Sequence, residues 1–314
     1  MSGLSSGNLA ADRRYLWGEG SRKDGDLVAA ADLFAQALEA APGWAAAAFA
    51  LGECREALGL AEGAAEAYRR CLALAPDDPF GAGLRLARLT GGESPAAMPD
   101  RYVARLFDDY ADRFDHHLVE VLGYRAPALL AEALARLSGS GRLPYAAALD
   151  LGCGTGLMAA ALGARATVID GIDLSPRMIA QAERTGLYRH LHTGEVVDTM
   201  TRAVVPSSCD LVVAADVLVY IGDLDPLFAA VARVLMPGGI FAVTVQTGES
   251  GFSLGGDMRF RHGRDYLRRC GDMAGLALRS MEDAVLRRDA GEDVAGLIAL
   301  FAAAGDGQRG ATFK

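Results

Sequence analysis

Leu149-Asp150-Leu151-Gly152-Cys153-Gly154-Thr155-Gly156 decides the fold. The apolar run 146–151 reads as a buried strand and 157–164 as a helix, so the glycines form the turn between them. In an open α/β sheet such a turn lies at the carboxyl edge, where ligands bind. Glycine at 152, 154 and 156 permits sharp turning and lets the main chain lie against a ligand that any Cβ would push away. The spacing is GxGxG behind an acidic residue, which differs from the GxGxxG that seats a pyrophosphate on a helix N-terminus.

Working outward, strand signals at 167–172, 190–196, 209–215 and 239–246 alternate with helical ones at 176–185 and 225–235. Repeated βα units predict parallel pairing, right-handed crossovers and helices on both faces. A helix over 264–274 follows, and 276–287 with 294–303 reads as an antiparallel pair across a polar turn at 289–293. The expected fold class is α/β, a Rossmann-like seven-stranded sheet, parallel with a terminal antiparallel strand, preceded by an all-α domain.

The strand ends carry the polar residues. The second ends in Ile172-Asp173-Leu174-Ser175, 17 residues beyond Gly156, where the two carboxylate oxygens of Asp173 can accept from both hydroxyls of a ribose. S-adenosylmethionine fits this pattern because it lacks a pyrophosphate and carries an ammonium group that favours a nearby carboxylate such as Asp150. Glu195, at the end of the third strand, offers an acceptor for the exocyclic amine of adenine, with the Val196 backbone as the alternative. The fourth strand ends in Ala215-Asp216-Val217-Leu218-Val219-Tyr220, beside the expected position of the transferring methyl group.

The N-terminal part is different. Residues 12–42 and 46–76 superimpose at an offset of 34, pairing Tyr15 with Phe49, Gly18 with Gly52, Gly25 with Gly59, Phe34 with Tyr68, Leu38 with Leu72 and Pro42 with Pro76. This is the period of a helical-hairpin repeat, with small residues where helices approach and aromatic residues filling the seam. A capping helix is expected over 79–89. The array is either a docking surface for a partner or a second copy of the chain, or a spacer and dimerisation or lid element. Domains are expected at 1–90 (helical repeats), 91–145 (linker and helical lid) and 146–314 (the α/β sheet).

Residues 149–247 resemble class I S-adenosylmethionine-dependent methyltransferases. The chain as a whole resembles predicted methyltransferases bearing N-terminal tetratricopeptide repeats, through Tyr102-Val-Ala-Arg-Leu-Phe-Asp-Asp-Tyr-Ala-Asp-Arg-Phe-Asp115, Arg259-Phe-Arg-His262, Leu286-Arg-Arg and Val294-Ala-Gly. The resemblance implies S-adenosyl-L-methionine as cofactor, with contacts from Asp150, Gly152, Cys153, Gly154, Asp173, Leu174, Met178, Glu195, Val196 and Asp216. It also implies a helical lid carrying Tyr102, Tyr110 and Phe114. Glu195 departs from the pattern, since Asp is usual there.

For several residues two readings stand. Tyr110 and Phe114 either close over the sulfonium or belong to the core of an amphipathic helix. Asp216 either faces substrate or shapes a turn. Arg259, Arg261, His262, Arg264, Arg268 and Arg269 either line a pocket for a carboxylate or phosphate substrate or form a solvated helix start. Should the acceptor need deprotonation, His262 and Tyr110 are the catalytic candidates.

The expected reaction is methyl transfer to an oxygen or nitrogen of a small molecule, such as an acidic metabolite. Alternatives are protein methylation with the repeats docking the substrate, a non-catalytic cofactor-binding module, and an NAD-dependent oxidoreductase. A net charge of -9 disfavours nucleic acid. Five widely spaced cysteines without a CxxC pair suggest reduced thiols and no zinc. His116 with His117, and His190 with His192, lack further ligands at suitable spacing, so no metal is expected. Neither a signal peptide nor a run of about 20 apolar residues is visible, which points to the cytoplasm and away from a membrane. Self-association or a protein partner through the repeats is the remaining expectation.

Overall fold

A computed structural model describes residues 5–92, 95–115, 123–138, 143–289 and 291–305. The chain forms two compact units, Met1–Tyr102 and Val103–Lys314. The division falls inside helix α6 (Asp100–Tyr110).

The first unit contains α1 (Leu9–Lys23), α2 (Leu27–Ala40), α3 (Ala45–Ala57), α4 (Ala61–Leu74) and α5 (Ala82–Thr90). The offset of 34 has a direct physical meaning. A Cβ on Gly18 would stand 2.8 Å from the Phe34 ring, and one on Gly52 would stand 2.5 Å from the Tyr68 ring. Both aromatic rings are fully buried, so each helical pair packs because its first helix presents bare backbone to a ring on its second. The turns repeat too, with Gly25 at φ +83° and Gly59 at φ +75°, a conformation that L residues avoid. Tyr68 donates to Glu56 at 2.6 Å, and Arg85 bridges Glu53 and Glu56. Before α5, the Asp78 carboxylate accepts from the N–H groups of Ala82 and Gly83.

The second unit is a twisted sheet with helices on both faces. Its strands are β1 (Ala148–Leu151), β2 (Ile169–Asp173), β3 (His190–Thr193), β4 (Cys209–Ala214), β5 (Leu235–Thr247), β6 (Phe252–Leu254), β7 (Phe260–His262), β8 (Leu276–Asp289) and β9 (Glu292–Ala303). Five strands lie parallel in the order β3-β2-β1-β4-β5, with Asp150 opposite Gly171 and Asp173 opposite Thr193. The last strand β9 runs antiparallel between β5 and β8. It is terminal in sequence but interior in the sheet. The short hairpin β6–β7 was not foreseen. It joins the far end of β5, with Gln246 opposite Arg261, on the side away from β9.

Helices α7 (Ala126–Ser138), α8 (Leu157–Leu162), α9 (Pro176–Thr185), α10 (Val196–Ala203), α11 (Asp225–Val234) and α12 (Arg264–Met273) complete the unit. Apolar residues alternate along β4 and β5 into two cores. Val212, Phe241 and Val243 pack with Phe228, Val231 and Phe301 on one face; Leu211, Val213, Ile240 and Ala242 pack with Leu130 and Leu134 on the other. Burial on both faces is what a continuous apolar strand implies. The expected strand over 190–196 stops at Thr193, because Glu195 caps α10 by accepting from the Asp198 N–H at 2.7 Å.

Candidate active site

The carboxyl edge of the sheet gathers the polar strand ends. Gly152 and Gly154 adopt φ +61° and +54°. A Cβ on Gly152 would strike Val217 at 2.5 Å, whereas one on Gly154 would meet only the Phe114 ring, at 3.9 Å. Gly152 is thus required by packing, and Gly154 leaves open main chain beneath an aromatic ring.

Asp173 ties the first two loops together. One oxygen accepts from the Gly154 N–H and the other from the Ser175 N–H, each at 2.8 Å. Each oxygen keeps a second lone pair. Burial outweighs these two hydrogen bonds and pushes the carboxyl up to about 6. Asp150 is 1% exposed and accepts from the Tyr188 hydroxyl at 2.7 Å; burial, aided by the charge of Asp173, raises it to about 7. Two buried carboxylates held near neutrality would be relieved by a positively charged ligand.

The end of α6 and the turn after it lie over these loops. Asp108 accepts from the Ser175 hydroxyl, and Asp115 from that of Thr155, both at 2.5 Å. Arg177 donates to the Asp108 carbonyl and to Asp112. Phe114 meets the edges of Tyr110 and Phe107, and Arg113 stands over the Tyr110 ring. Tyr110 and Phe114 therefore belong to a covering segment, held by polar contacts at both ends.

Other expected contacts are placed differently. Tyr102 falls in the first unit, where its ring lies against Gly81. Met178 is sealed from solvent, Val196 belongs to the main core and Cys153 packs beside Gly171; Leu174 is half-buried. Glu195 has one oxygen committed to the α10 cap. His116 and His117 lie outside the described residues.

His262 is placed in the interior. Its ring is 0% exposed, and Nε2 faces the carbonyls of Ile221 and Gly222 at 2.9 and 3.2 Å. A neutral ring donating there fixes the turn after β4, and burial drives its pKa down to about 4. The ring stacks on Tyr266, and its Nδ1 is buried with no hydrogen-bond partner among the described residues. Most of the basic cluster forms partly exposed ion pairs: Arg261 pairs with Asp257, Arg264 with Asp283, Arg268 with Asp265 and Arg269 with Asp225. Such partly exposed pairs contribute little to stability.

Arg259 alone turns inward. Its Nη1 donates to the Tyr220 hydroxyl at 2.9 Å, with the guanidinium 5.4 Å from that ring's centre. Beyond it, Asp216 (φ +61°) donates its N–H to Thr244 Oγ1, and its carboxylate receives both contacts of Arg287 Nη1, at 2.9 and 3.1 Å. Arg287 is 3% exposed. Tyr124 donates to the Ala215 carbonyl, and burial together with the Asp216 charge pushes its phenol well up. Tyr124 was not singled out in the sequence, where nothing local separates it from surface residues; Tyr220 and Arg287 lie in quoted segments but were given no role of their own.

Residues 149–243 match the family described as "Methyltransferase domain". Among curated proteins the chain is similar to the biotin biosynthesis bifunctional protein BioCD of Bordetella avium (35% identity, 49% of this chain, 32% of that one). It is also similar to human methyltransferase-like protein 27 (33%, 46% and 58%) and to the ubiquinone biosynthesis O-methyltransferase of Xanthomonas campestris (30%, 36% and 48%). The chain thus spans between a third and three fifths of the length of these relatives. Two solved structures share the fold: the cyclase SpnF (TM-score 0.54, 20% identity, covering 67% of this chain and 98% of that one) and the Burkholderia thailandensis 1,6-didemethyltoxoflavin-N1-methyltransferase (0.50, 19%, 68% and 93%). The second unit carries a methyltransferase domain, for which the expected cofactor is S-adenosylmethionine.

The site passes a simple fit test for that cofactor. Gly154 keeps open a space that a side chain would fill, and two acidic groups raised by burial stand on either side of the loop. Among the described residues no group of His, Cys, Asp and Glu could hold a metal ion, and no helix is long and apolar enough to cross a membrane. The five cysteines are free and buried.

Proposed function

We propose that the protein transfers the methyl group of S-adenosylmethionine to an oxygen or nitrogen of a small molecule. The observation that carries this reading is the joint between Asp173 and Gly154, which fixes an acidic side chain and bare main chain in one cradle. In it Asp173 would hold the ribose, Asp150 the ammonium group, Gly152 and Gly154 the methionyl part, and Glu195 or the Val196 backbone the adenine. When bound, the cofactor supplies an activated methyl group.

The protein's own task is then alignment and exclusion of water, because displacement at a sulfonium needs no covalent enzyme intermediate. The covering segment with Tyr110 and Phe114 shields the cradle. Its aromatic faces favour positive charge. Tyr110 remains the candidate for proton handling if the acceptor must lose one; His262 is assigned the positioning of the 221–222 turn.

A second reading, protein methylation, draws on the first unit. We read its repeated hairpins as tetratricopeptide repeats, and a cavity of about 390 Å³ between α2, α3 and α4, lined by Leu38, Leu51, Arg55 and Arg70, offers a place for a peptide. The small-molecule reading is preferred because the polar groups converge at the sheet edge. The fold also hosts a cyclase, so fold alone does not establish methyl transfer.

Calorimetric titration with S-adenosylhomocysteine and NAD tests the cofactor, and transfer of labelled methyl groups into small-molecule and protein fractions of a cell extract tests the acceptor. S-adenosylhomocysteine should bind and NAD should not. Label appearing only in protein would favour the second reading, and no turnover in either fraction would leave a non-catalytic binding module.

A further inference from the structure

Beyond the cofactor cradle, one face of the sheet carries polar groups that the reading above does not use. Residues two apart on a strand share a face. Thr244 touches Asp216, so Gln246 points to that same face one step nearer the carboxyl edge. Gln246 is 2% exposed and its Nε2 has no hydrogen-bond partner among the described residues. Buried amide donors are seldom left unpaired. Such a donor, aimed at the edge where ligands bind, marks a place for an acceptor atom.

Charge points the same way. Arg287 and Asp216 form an ion pair, whereas Arg259 feels Asp216 and Asp257 only at longer range and forms no ion pair of its own among the described residues. No described carboxylate lies within ion-pair distance of its guanidinium, whose side-chain hydrogen bond goes to the neutral hydroxyl of Tyr220. Arg259 also stands two residues before Arg261, the partner of Gln246 across the ladder. A half-buried site with one net positive charge, a planar guanidinium and an amide N–H is complementary to one planar monoanion. A phosphate dianion would leave a negative charge unmatched.

We propose that Arg259, Gln246 and Tyr220 form the acceptor subsite and that it takes a carboxylate monoanion, held as an anchor while another atom of the molecule receives the methyl group. A carboxylate clasped by a guanidinium is a poor nucleophile, so the anchoring and reacting atoms are distinct. This inference rests on the methyl-transfer reading, and it narrows the acceptor to carboxylic acids that also carry a hydroxyl or amine.

The test uses the full chain loaded with S-adenosylhomocysteine, titrated with benzoate, with benzamide as its neutral analogue and with inorganic phosphate. Benzoate should bind and benzamide should not. Arg259→Gln and Gln246→Met should each weaken benzoate by about tenfold or more, as expected for losing a charge-assisted or buried hydrogen bond, with S-adenosylhomocysteine affinity within twofold of the parent. Gln246→Met removes an unpartnered buried amide, so it should fold at least as well as the parent and carries the test should Arg259→Gln fail to fold. Benzoate affinity unchanged in Gln246→Met and in a folded Arg259→Gln, or phosphate bound more tightly than benzoate and lost with Arg259, overturns the assignment. Failure of the parent to bind S-adenosylhomocysteine overturns the underlying reading instead.

Discussion

The Asp173 carboxylate accepts the Gly154 N–H at 2.8 Å, joining the loop after β1 to the end of β2. The same contact that shapes the glycine turn therefore fixes the residue expected to grip the ribose. Asp173→Ala should weaken S-adenosylhomocysteine by about 100-fold or more, the loss of two hydrogen bonds to a charged acceptor at about 1.5–3 kcal/mol each. The far-UV circular dichroism should stay that of the parent. Unchanged affinity in calorimetry would remove the ribose assignment.

Binding should depend on pH through the two buried carboxyls. Asp150 at about 7 and Asp173 at about 6 lie above their ordinary 3.8, so the folded state binds more protons than the unfolded one between about 4 and 7. Their contribution favours folding at low pH and is lost as pH rises through 6 to 7. A cationic ligand selects the ionised forms, so affinity for S-adenosylmethionine should rise from pH 5.5 to 8 with release of protons. Calorimetry in two buffers of different ionisation enthalpy measures that release, and proton uptake would contradict it.

His262 predicts the opposite slope. Its pKa falls from 6.5 to about 4 on burial, so its contribution to stability is present above 6.5 and lost as pH falls toward 4. His262→Ala should cost about 1–3 kcal/mol in urea unfolding, the penalty of leaving buried carbonyls unpaired. A pH–rate profile of unchanged shape is expected, and disappearance of a limb would restore His262 as a base.

Two glycine substitutions separate packing from chain entropy. Gly52→Ala should destabilise the helical unit by about 1–3 kcal/mol, because the new Cβ meets the Tyr68 ring at 2.5 Å. Gly20→Ala, within α1 with nothing near its Cβ, should stabilise it by about 0.5–1 kcal/mol. Thermal unfolding of the full chain measures both, and equal effects would refute the close-approach account.

Asp216→Asn keeps a residue that tolerates φ +61° but leaves Arg287 buried without its charge partner. A loss of about 3–5 kcal/mol is expected. Unfolding of the single and double variants (with Arg287→Met) should show the double less affected than Asp216→Asn alone.

The glycine turn and the strands around it were legible because apolar runs, acidic strand ends and glycine spacing are local signals. The offset of 34 was legible too, since each small residue answers a specific ring. What stayed hidden was direction. Arg259 and Arg261 stand two residues apart, yet one turns toward Tyr220 and the other to Asp257, and His262 looks like any active-site histidine until its ring is found against two carbonyls. The α10 cap was overlooked because Glu195 was read as a ligand, when Glu-Val-Val-Asp is equally a helix start.

The interior position of β9 has one more consequence. Because β8 is antiparallel to β9 and β9 to β5, β8 runs in the same sense as β5 and delivers Arg287 to the edge where Asp216 waits. Those two strands can dock only after 292–303 has been synthesised. The nascent polypeptide thus carries a finished glycine turn but an unlocked catalytic edge, and competence should arrive abruptly with the final hairpin rather than growing as the sheet is laid down.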